Sequence, residues 1–420
     1  MCRSLNLYAM AGEKRIYDVQ KGLLNGTQVN TLDSSLLISA VQERTSELLK
    51  DSPLVYVLHD PCDIRKPSAP QMDHVGKVLS LSKEVVNGYR TFNSVAVDIS
   101  RQGVSLLCHT LYSTAMPNYV SQKQLEDLPS CPPAIRELVQ SNGHINTGVI
   151  YGKHIEQSRQ ALRKGHPSVS VCHVSDREFD CQEFFDAIDS QGDRFITRMK
   201  LSRLSNESRP LLTPTGKPSK KVAYKKLADK DFANRGEYLI EKLDIKGKVY
   251  VNVRCVLEWE GLELNKKSYS AVRISLWNGA KPLFEHPMIL LTNLPVMSAE
   301  QAKAVYKGYL LRFKIEVVFK FLKQNLGWES FQIRDFESIK NLLAVGFFLI
   351  GYFKELEEEL RKHPLAIFLC QLAFSKGKVT LFFLLEGLAK LIHFEEVKRW
   401  KTENDISDQE IEELIRLLKE

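Results

Sequence analysis

The chain has 420 residues, 44% of them hydrophobic and 26% charged, a balance that excludes disordered, collagen-like and mucin-like proteins and leaves room for two or three domains. Its 58 Lys and Arg against 51 Asp and Glu give a formal charge of +7, an excess that suits a polyanionic partner without requiring one. The longest apolar stretches, such as residues 341–353, stop short of the roughly 18 residues that cross a bilayer, so no membrane partner is expected. Residues 1–15 lack the pattern of a secretory leader, and the eight cysteines are scattered with no Cys-x-x-Cys pair, which points to a reducing compartment.

Residues 36–50 read as one amphipathic helix, closed by Asp51, Ser52 and Pro53. Residues 54–59 are rich in strand formers and run into Asp60 and Pro61, which predicts a buried strand delivering a carboxylate at its end. Two further strand patterns, 89–97 and 104–111, are separated by a turn-like Ser100-Arg-Gln-Gly103, and neighbours joined so closely should pair antiparallel. Helical stretches follow at 121–141, interrupted by Pro132-Pro133, and at 152–164.

A second apolar strand, 168–174, ends at Ser175 and Asp176; a helix over 180–190 is closed by Gly192, and 194–199 reads as a strand. Three strands, a helix, a strand, a helix and a strand, with carboxylates at strand ends, is the ground plan of an RNase H-like mixed sheet. From 201 to 287 the pattern changes to period-two alternation at 249–255 and 268–276, with a turn expected near Glu260-Gly261. Helical periodicity returns at Ala299 and continues to the end, with 354–362 and 408–420 charged and surface-like. Between Arg194 and Lys226 lie ten Lys or Arg against one acid, Glu207, a density suited to tracking phosphates or to a solvated loop.

Residues 309–323 concentrate the chemistry. At about 100° per residue, Tyr309, Arg312, Glu316 and Lys323 fall within roughly 60° of one another on a helix whose other residues are mostly apolar, so the helix is expected to be largely buried with one polar stripe facing a crevice. A hydroxyl, two cations and a carboxylate suit a phosphodiester site, since Arg and Lys hold phosphate oxygens and Glu ligates a metal. Ordinary ion pairs along a helix, Arg312 with Glu316, are the structural alternative.

The spacing Tyr309-x2-Arg312-x3-Glu316-x6-Lys323 resembles the Tyr-Arg-Glu-Lys signature of the insertion sequence 4 group of DDE transposases. Asp176-Arg-Glu-Phe-Asp180 resembles that family's motif for the second catalytic Asp, and His59-Asp-Pro-Cys-Asp63 the motif for the first. The resemblance spans about residues 54–350. It implies Asp60, Asp176 and Glu316 as catalytic ligands of two Mg2+ ions, with Mn2+ able to substitute, and Asp63 and Asp180 as the rival carboxylates. It makes Tyr309, Arg312 and Lys323 contacts to phosphates at the element's end and matches Arg198 to a DNA-contacting arginine near the cleaved strand; His59 and His173 read as neighbours of the site rather than ligands, since hard cations prefer carboxylate oxygen.

The chemistry implied is cut-and-paste DNA transposition: end cleavage by hydrolysis, a hairpin intermediate that needs an unstacked base, and strand transfer. The family's base-stacking Trp corresponds to Met288, with Trp259 and Trp277 as possible substitutes. The partners implied are double-stranded DNA, as inverted ends and as target, and a second protomer on that DNA, in a prokaryotic cytoplasm at the nucleoid. The expected organisation is a short N-terminal region (1–50) without a helix-turn-helix pattern, a candidate for contacting DNA; a catalytic core in two parts (51–200 and 289–353) parted by a β-rich insertion (201–288); and an all-helical C-terminal region (354–420).

Overall fold

A computed structural model describes residues 33–403, apart from 100–102, 213–217, 246, 265, 325 and 376–378, together with residues 407 and 409. Most of the N-terminal region and nearly all of the charged tail at 408–420 therefore lie outside the described residues. The chain divides into one compact unit, Ser35–Val318, and a second that runs from Phe319 onward and takes in Ser34.

The first unit opens with α1 (Ser34–Leu48) and then builds the strands β1 (Leu54–Arg65), β2 (Gly76–Leu79), β3 (Val85–Val97) and β4 (Ser105–Tyr112). Helices α2 (Gln122–Glu126), α3 (Pro133–Gln140) and α4 (Thr147–Gly165) precede β5 (Ser170–Ser175), α5 (Gln182–Ser190) and β6 (Arg194–Arg198). The order β4-β3-β1-β5-β6, with β3 antiparallel to β1 and β4 and with β1, β5 and β6 parallel, is compatible with an RNase H-like core.

Local chemistry explains several boundaries. Asn146 caps α4 by accepting from the Val149 amide at 2.8 Å, and Arg163 and Lys164 sit in its last turn, where they complement the helix dipole. Gly192, at φ +70°, closes the turn after α5 in a backbone region that side-chain-bearing residues seldom adopt.

Strand β1 is longer than the sequence predicts. It runs through Asp60 to Arg65, so Asp60 does not terminate it. The reason lies in the two ladders. Pairing with β5 stops at Leu58–Val174, whereas pairing with β3 continues to Arg65–Gly88. The Lys66 amide bonds Asn87 of β3, and counting back by twos along the unbroken register turns the Pro61 nitrogen the other way, toward the side where no partner remains. The proline interrupts no hydrogen bond.

Beyond β6 the chain forms the hairpin β7 (Leu204–Leu212) and β8 (Pro218–Lys226), then β9 (Asn234–Ile245), β10 (Lys248–Leu264), β11 (Lys267–Asn278), the two-residue β12 (Lys281–Pro282) and β13 (Met288–Thr292). The expected turn at Glu260-Gly261 is absent: both residues lie within β10, opposite Ala271 and Ser270. The reversal comes after Leu264, where Lys266 takes φ +64°. β9, β10 and β11 continue the central sheet through β13, which pairs with β6, giving eleven strands in one sheet. The basic segment 194–226 thus occupies β6 and the β7–β8 hairpin; the side chains of residues 204–225 lie outside what is described.

One face of the sheet is dry and aromatic. Phe92, Tyr151, Phe179, Phe184, Phe185 and Phe195 pack there under α4 and α5, with the Tyr151 and Phe179 rings 4.4 Å apart. Val55, Val57, Ala161, Leu162 and Val171 continue this layer. The opposite face receives α6 (Ala299–Leu310), which touches β5, β6, β9, β10, β11 and β13. A side chain at Gly308 would come within 2.8 Å of Ile196 and 3.0 Å of Tyr56, so the absence of one lets this helix lie close to β1 and β6.

The second unit contains α8 (Phe336–Lys362), α9 (Ala366–Leu372) and α10 (Leu381–Glu403), which contact one another; α7 (Phe313–Gln324) straddles the division. Helix α8 is long and apolar enough to cross a membrane by length and composition, and half of its most apolar window is buried inside the protein.

Candidate active site

The polar stripe at 309–323 is built differently from its expectation. The backbone leaves the α-helix at Leu311 and Arg312, and i to i−3 bonds run from there into the first residues of α7: Leu311 to Gly308, Arg312 to Tyr309, Lys314 to Leu311 and Ile315 to Arg312. Such a tightened turn advances each residue by about 120° instead of 100°. Tyr309 therefore closes α6, Arg312 occupies the break and Glu316 begins a new helix. α7 is also wetter than its sequence suggests, since Phe313 and Val317 are exposed.

The break aims Arg312 at the sheet. Its guanidinium lies 3.3 Å from Asp60 and 2.5 Å from Glu316, and the residue is only 6% exposed. Tyr309, fully buried, places its hydroxyl 3.4 Å from Asp176. Arg198, at the end of β6, stands 3.9 Å from the same carboxylate, which also caps the following turn by accepting from the Arg177 amide at 2.7 Å. Six of the seven residues that the sequence nominates, Asp60, Asp176, Arg198, Tyr309, Arg312 and Glu316, thus form one connected cluster. The seventh, Lys323, belongs to the second unit and pairs with Glu329 at 3.2 Å.

The cluster holds more negative charge than its cations neutralise comfortably. Burial pushes the Asp60 carboxyl up to about 7; Arg312 opposes that shift, and the carboxylates of Asp176, Glu316 and Glu178 add to it. Burial, reinforced by Asp176, likewise raises the Tyr309 hydroxyl, which stays a neutral donor.

The rival carboxylates are spoken for. Asp63 pairs with Arg90 at 3.2 Å, and Arg90 grips Glu178 through both terminal nitrogens at 2.8 and 3.0 Å, with Tyr151 donating to the same Glu at 3.3 Å. Asp180 is buried, which raises its carboxyl above the usual range, while Arg203 at 3.1 Å and the Lys200 amide at 3.0 Å counter only part of that push. Sequence reasoning missed the Arg90–Glu178 pair. The signal was present two residues after Asp176, but the basic partner lies on β3 and pairing across strands is invisible without the register.

Three carboxylates from β1, the end of β5 and α7 are donors of the kind a hard divalent cation takes. Their chemistry fits such an ion, and the guanidinium on Asp60 and Glu316 shows that positive charge is wanted between them. Their spacing is another matter: among the described residues no three His, Cys, Asp or Glu side chains stand close enough to share one ion.

Beside the cluster lies a cleft of about 370 Å³. Arg198, Trp277, Phe284, His286, Met288 and Phe313 line it. Of the two tryptophans considered for stacking, Trp277 opens to this cleft, with Arg254 5.7 Å from its ring, whereas Trp259 is buried in the sheet.

The mixed sheet is compatible with an RNase H-like fold, and it carries a carboxylate cluster of a kind suited to phosphodiester chemistry. Residues 154–350 match the family described as Transposase DDE domain. The match covers Asp176, Arg198, Tyr309, Arg312, Glu316 and Lys323, though not Asp60, and it supports placing the chain among the DDE transposases. That family implies a nucleic-acid-processing enzyme of DNA transposition and recombination whose members generally use divalent metal ions. No curated protein matches the chain.

Proposed function

We propose that this protein is a Mg2+-dependent transposase of the Tyr-Arg-Glu-Lys type that cuts DNA at the ends of its element and joins the freed 3′ hydroxyls to a target. The single observation that carries the reading is the Arg312 bridge between Asp60 and Glu316, residues 256 positions apart, beside Tyr309 on Asp176. Asp60, Asp176 and Glu316 hold the ions. Glu316, whose side chain is 49% exposed, has the freedom to close on the two aspartates once Arg312 turns to a phosphate. A pair of divalent ions supplies activation of the attacking oxygen and charge stabilisation on the leaving one.

Tyr309, Arg312, Arg198 and Lys323 carry the DNA backbone, Arg through two parallel hydrogen bonds and Lys as a point charge. The cleft beside Arg198 takes the base unstacked during hairpin formation, with Trp277 offering the aromatic face that Met288 lacks. Both ends of an element are processed together, so the working species is a dimer on DNA, in a prokaryotic cytoplasm at the nucleoid.

The test is cleavage of DNA carrying the gene's own flanks, in Mg2+ and in Ca2+, by wild type and Glu316→Ala. Breaks at fixed inverted ends that need Mg2+ and vanish in the variant are expected, from complexes holding two protomers. DNA that is bound but never cut in Mg2+ or Mn2+ would leave a catalytically idle DNA-binding protein, and cuts without joining would leave a metal nuclease.

A further inference from the structure

Behind Asp60 and Asp176, on the dry face of the sheet, runs a chain of buried polar side chains that no step of the proposed chemistry uses. His173 on β5 stands with Nε2 3.5 Å from Asp193 Oδ2, and its Nδ1 lies 2.8 Å from His59 Nε2. His59 Nδ1 lies 2.8 Å from Ser94 Oγ, which lies 2.8 Å from His154 Nδ1, and His154 Nε2 reaches Thr110 Oγ1 at 2.8 Å. The three imidazoles, Ser94 and Asp193 are buried, and the last takes Arg163 at 3.0 Å and Arg159 at 3.8 Å. Burial holds His154 down to about 3, so it is neutral, with one donor and one acceptor nitrogen.

With one hydrogen on each imidazole, every link in such a chain passes its proton the same way, and two arrangements satisfy it. In one, His173 and His59 carry hydrogen on Nε2 and His154 on Nδ1; Ser94 donates to His59 and Thr110 donates to His154. In the other, every bond is reversed and His173 Nε2 turns a lone pair toward the Asp193 carboxylate. The carboxylate disfavours the second. Neither His173 Nε2 nor Asp193 Oδ2 makes a hydrogen bond among the described residues, to each other included, so the carboxylate 3.5 Å away favours the first arrangement through its charge.

The chain also ties β1 to β5 at the end of their ladder, joining the first β1 residue beyond it to His173, which is still paired with Val57. Pairing of β1 with β5 ends at Leu58–Val174, just short of the two aspartates. The His59–His173 bond is the side-chain tie between these strands at that point, one residue before Asp60 and three before Asp176. We propose that Asp193 fixes the direction of this chain, and that the chain, through His59 and His173, positions Asp60 against Asp176 for the metal. His59, His173 and Asp193 are thus positioning residues, and the metal part of the assignment rests on the function proposed above.

The test combines imidazole 15N NMR of histidine-labelled protein with Mn2+ calorimetry in the presence of DNA. Wild type is expected to show hydrogen on Nε2 of His173 and His59 and on Nδ1 of His154. Asp193→Asn is expected to mix or invert these tautomers and to weaken Mn2+ about ten-fold, within the usual effect of removing a residue that orients a ligand. Thr110→Val, at the far end of the chain, is expected to leave the tautomers of His59 and His173 in place. Opposite tautomers in wild type overturn the proposal even if Asp193→Asn fails to fold. Unchanged Mn2+ affinity on rearranged tautomers overturns the positioning role alone, whereas a wild type with the expected tautomers that binds no Mn2+ overturns the proposed function and the positioning role together.

Discussion

The two faces of strand β1 treat polar groups in opposite ways. On one face His59 is wholly buried, stacked 5.9 Å from Phe92, and bonded at both ring nitrogens. On the other, one residue along, Asp60 shares a single guanidinium with Glu316 and feels two further carboxylates. A buried polar group with all its partners stabilises one arrangement; a buried charge with too few stores a demand for positive charge. Here that demand separates scaffold from candidate site within two consecutive residues.

The sharpest test of that contrast is Asp60→Ala. Cleavage is expected to fall about a thousand-fold, on the order of 4 kcal/mol of barrier, with the cooperative unfolding transition retained. A variant that keeps its rate removes Asp60 from the reactive side. On the scaffold side, Phe184→Ala takes a fully buried ring from the aromatic layer and is expected to cost about 3 to 5 kcal/mol in urea unfolding. A cost below about 1 kcal/mol would mean that this face is not the tightly packed one.

A smaller effect distinguishes the faces by pH. The Asp60 carboxyl rises from 3.8 to about 7 on folding, so the folded protein holds that proton more tightly than the unfolded chain. Stability from this group is complete below about pH 4 and is lost as the pH climbs through 7. Without divalent ions, Asp60→Asn is expected to match wild type near pH 4 and to exceed it above pH 7 by on the order of 2 kcal/mol. Added Mg2+ at pH 8 should stabilise wild type and not the variant; equal responses would contradict a metal at Asp60. The smallest effect expected is that of Asp63→Asn. Its partner Arg90 keeps both bonds to Glu178, so cleavage should stay within about three-fold of wild type, and a large loss would reverse the ranking of the two aspartates.

Much of this layout was legible in the sequence because it rests on local signals. The run at 54–58, the strand ending at Ser175 and the Gly192 stop carry their own periodicity and punctuation, and all three reappear. What failed was non-local. Asp60 looked like a strand end because Pro61 follows it; only the register with β3 shows that the proline faces an empty side. The break at Leu311–Arg312 contains no Gly or Pro, and its i to i−3 bonds are set by what Arg312 reaches on β1. The residues that the motif spacing picks out, Tyr309, Arg312 and Glu316, nevertheless come together with the two aspartates despite the altered helix. The imidazole chain was out of reach: its members come from β1, β3, β4, β5 and α4 and share no spacing at all.

The eleven-stranded sheet stops at β9, which has a neighbour on one side only among the described residues. An open edge twelve residues long would ordinarily invite a strand from another molecule. Along it Arg235, Glu237, Glu241, Lys242 and Asp244 stand exposed, both signs interleaved, with Leu239 the only large apolar side chain exposed among them. A strand arriving from a neighbour would have to dehydrate most of those charges without matching their order. The border is thus written in a code that discourages fibre growth from a very wide sheet.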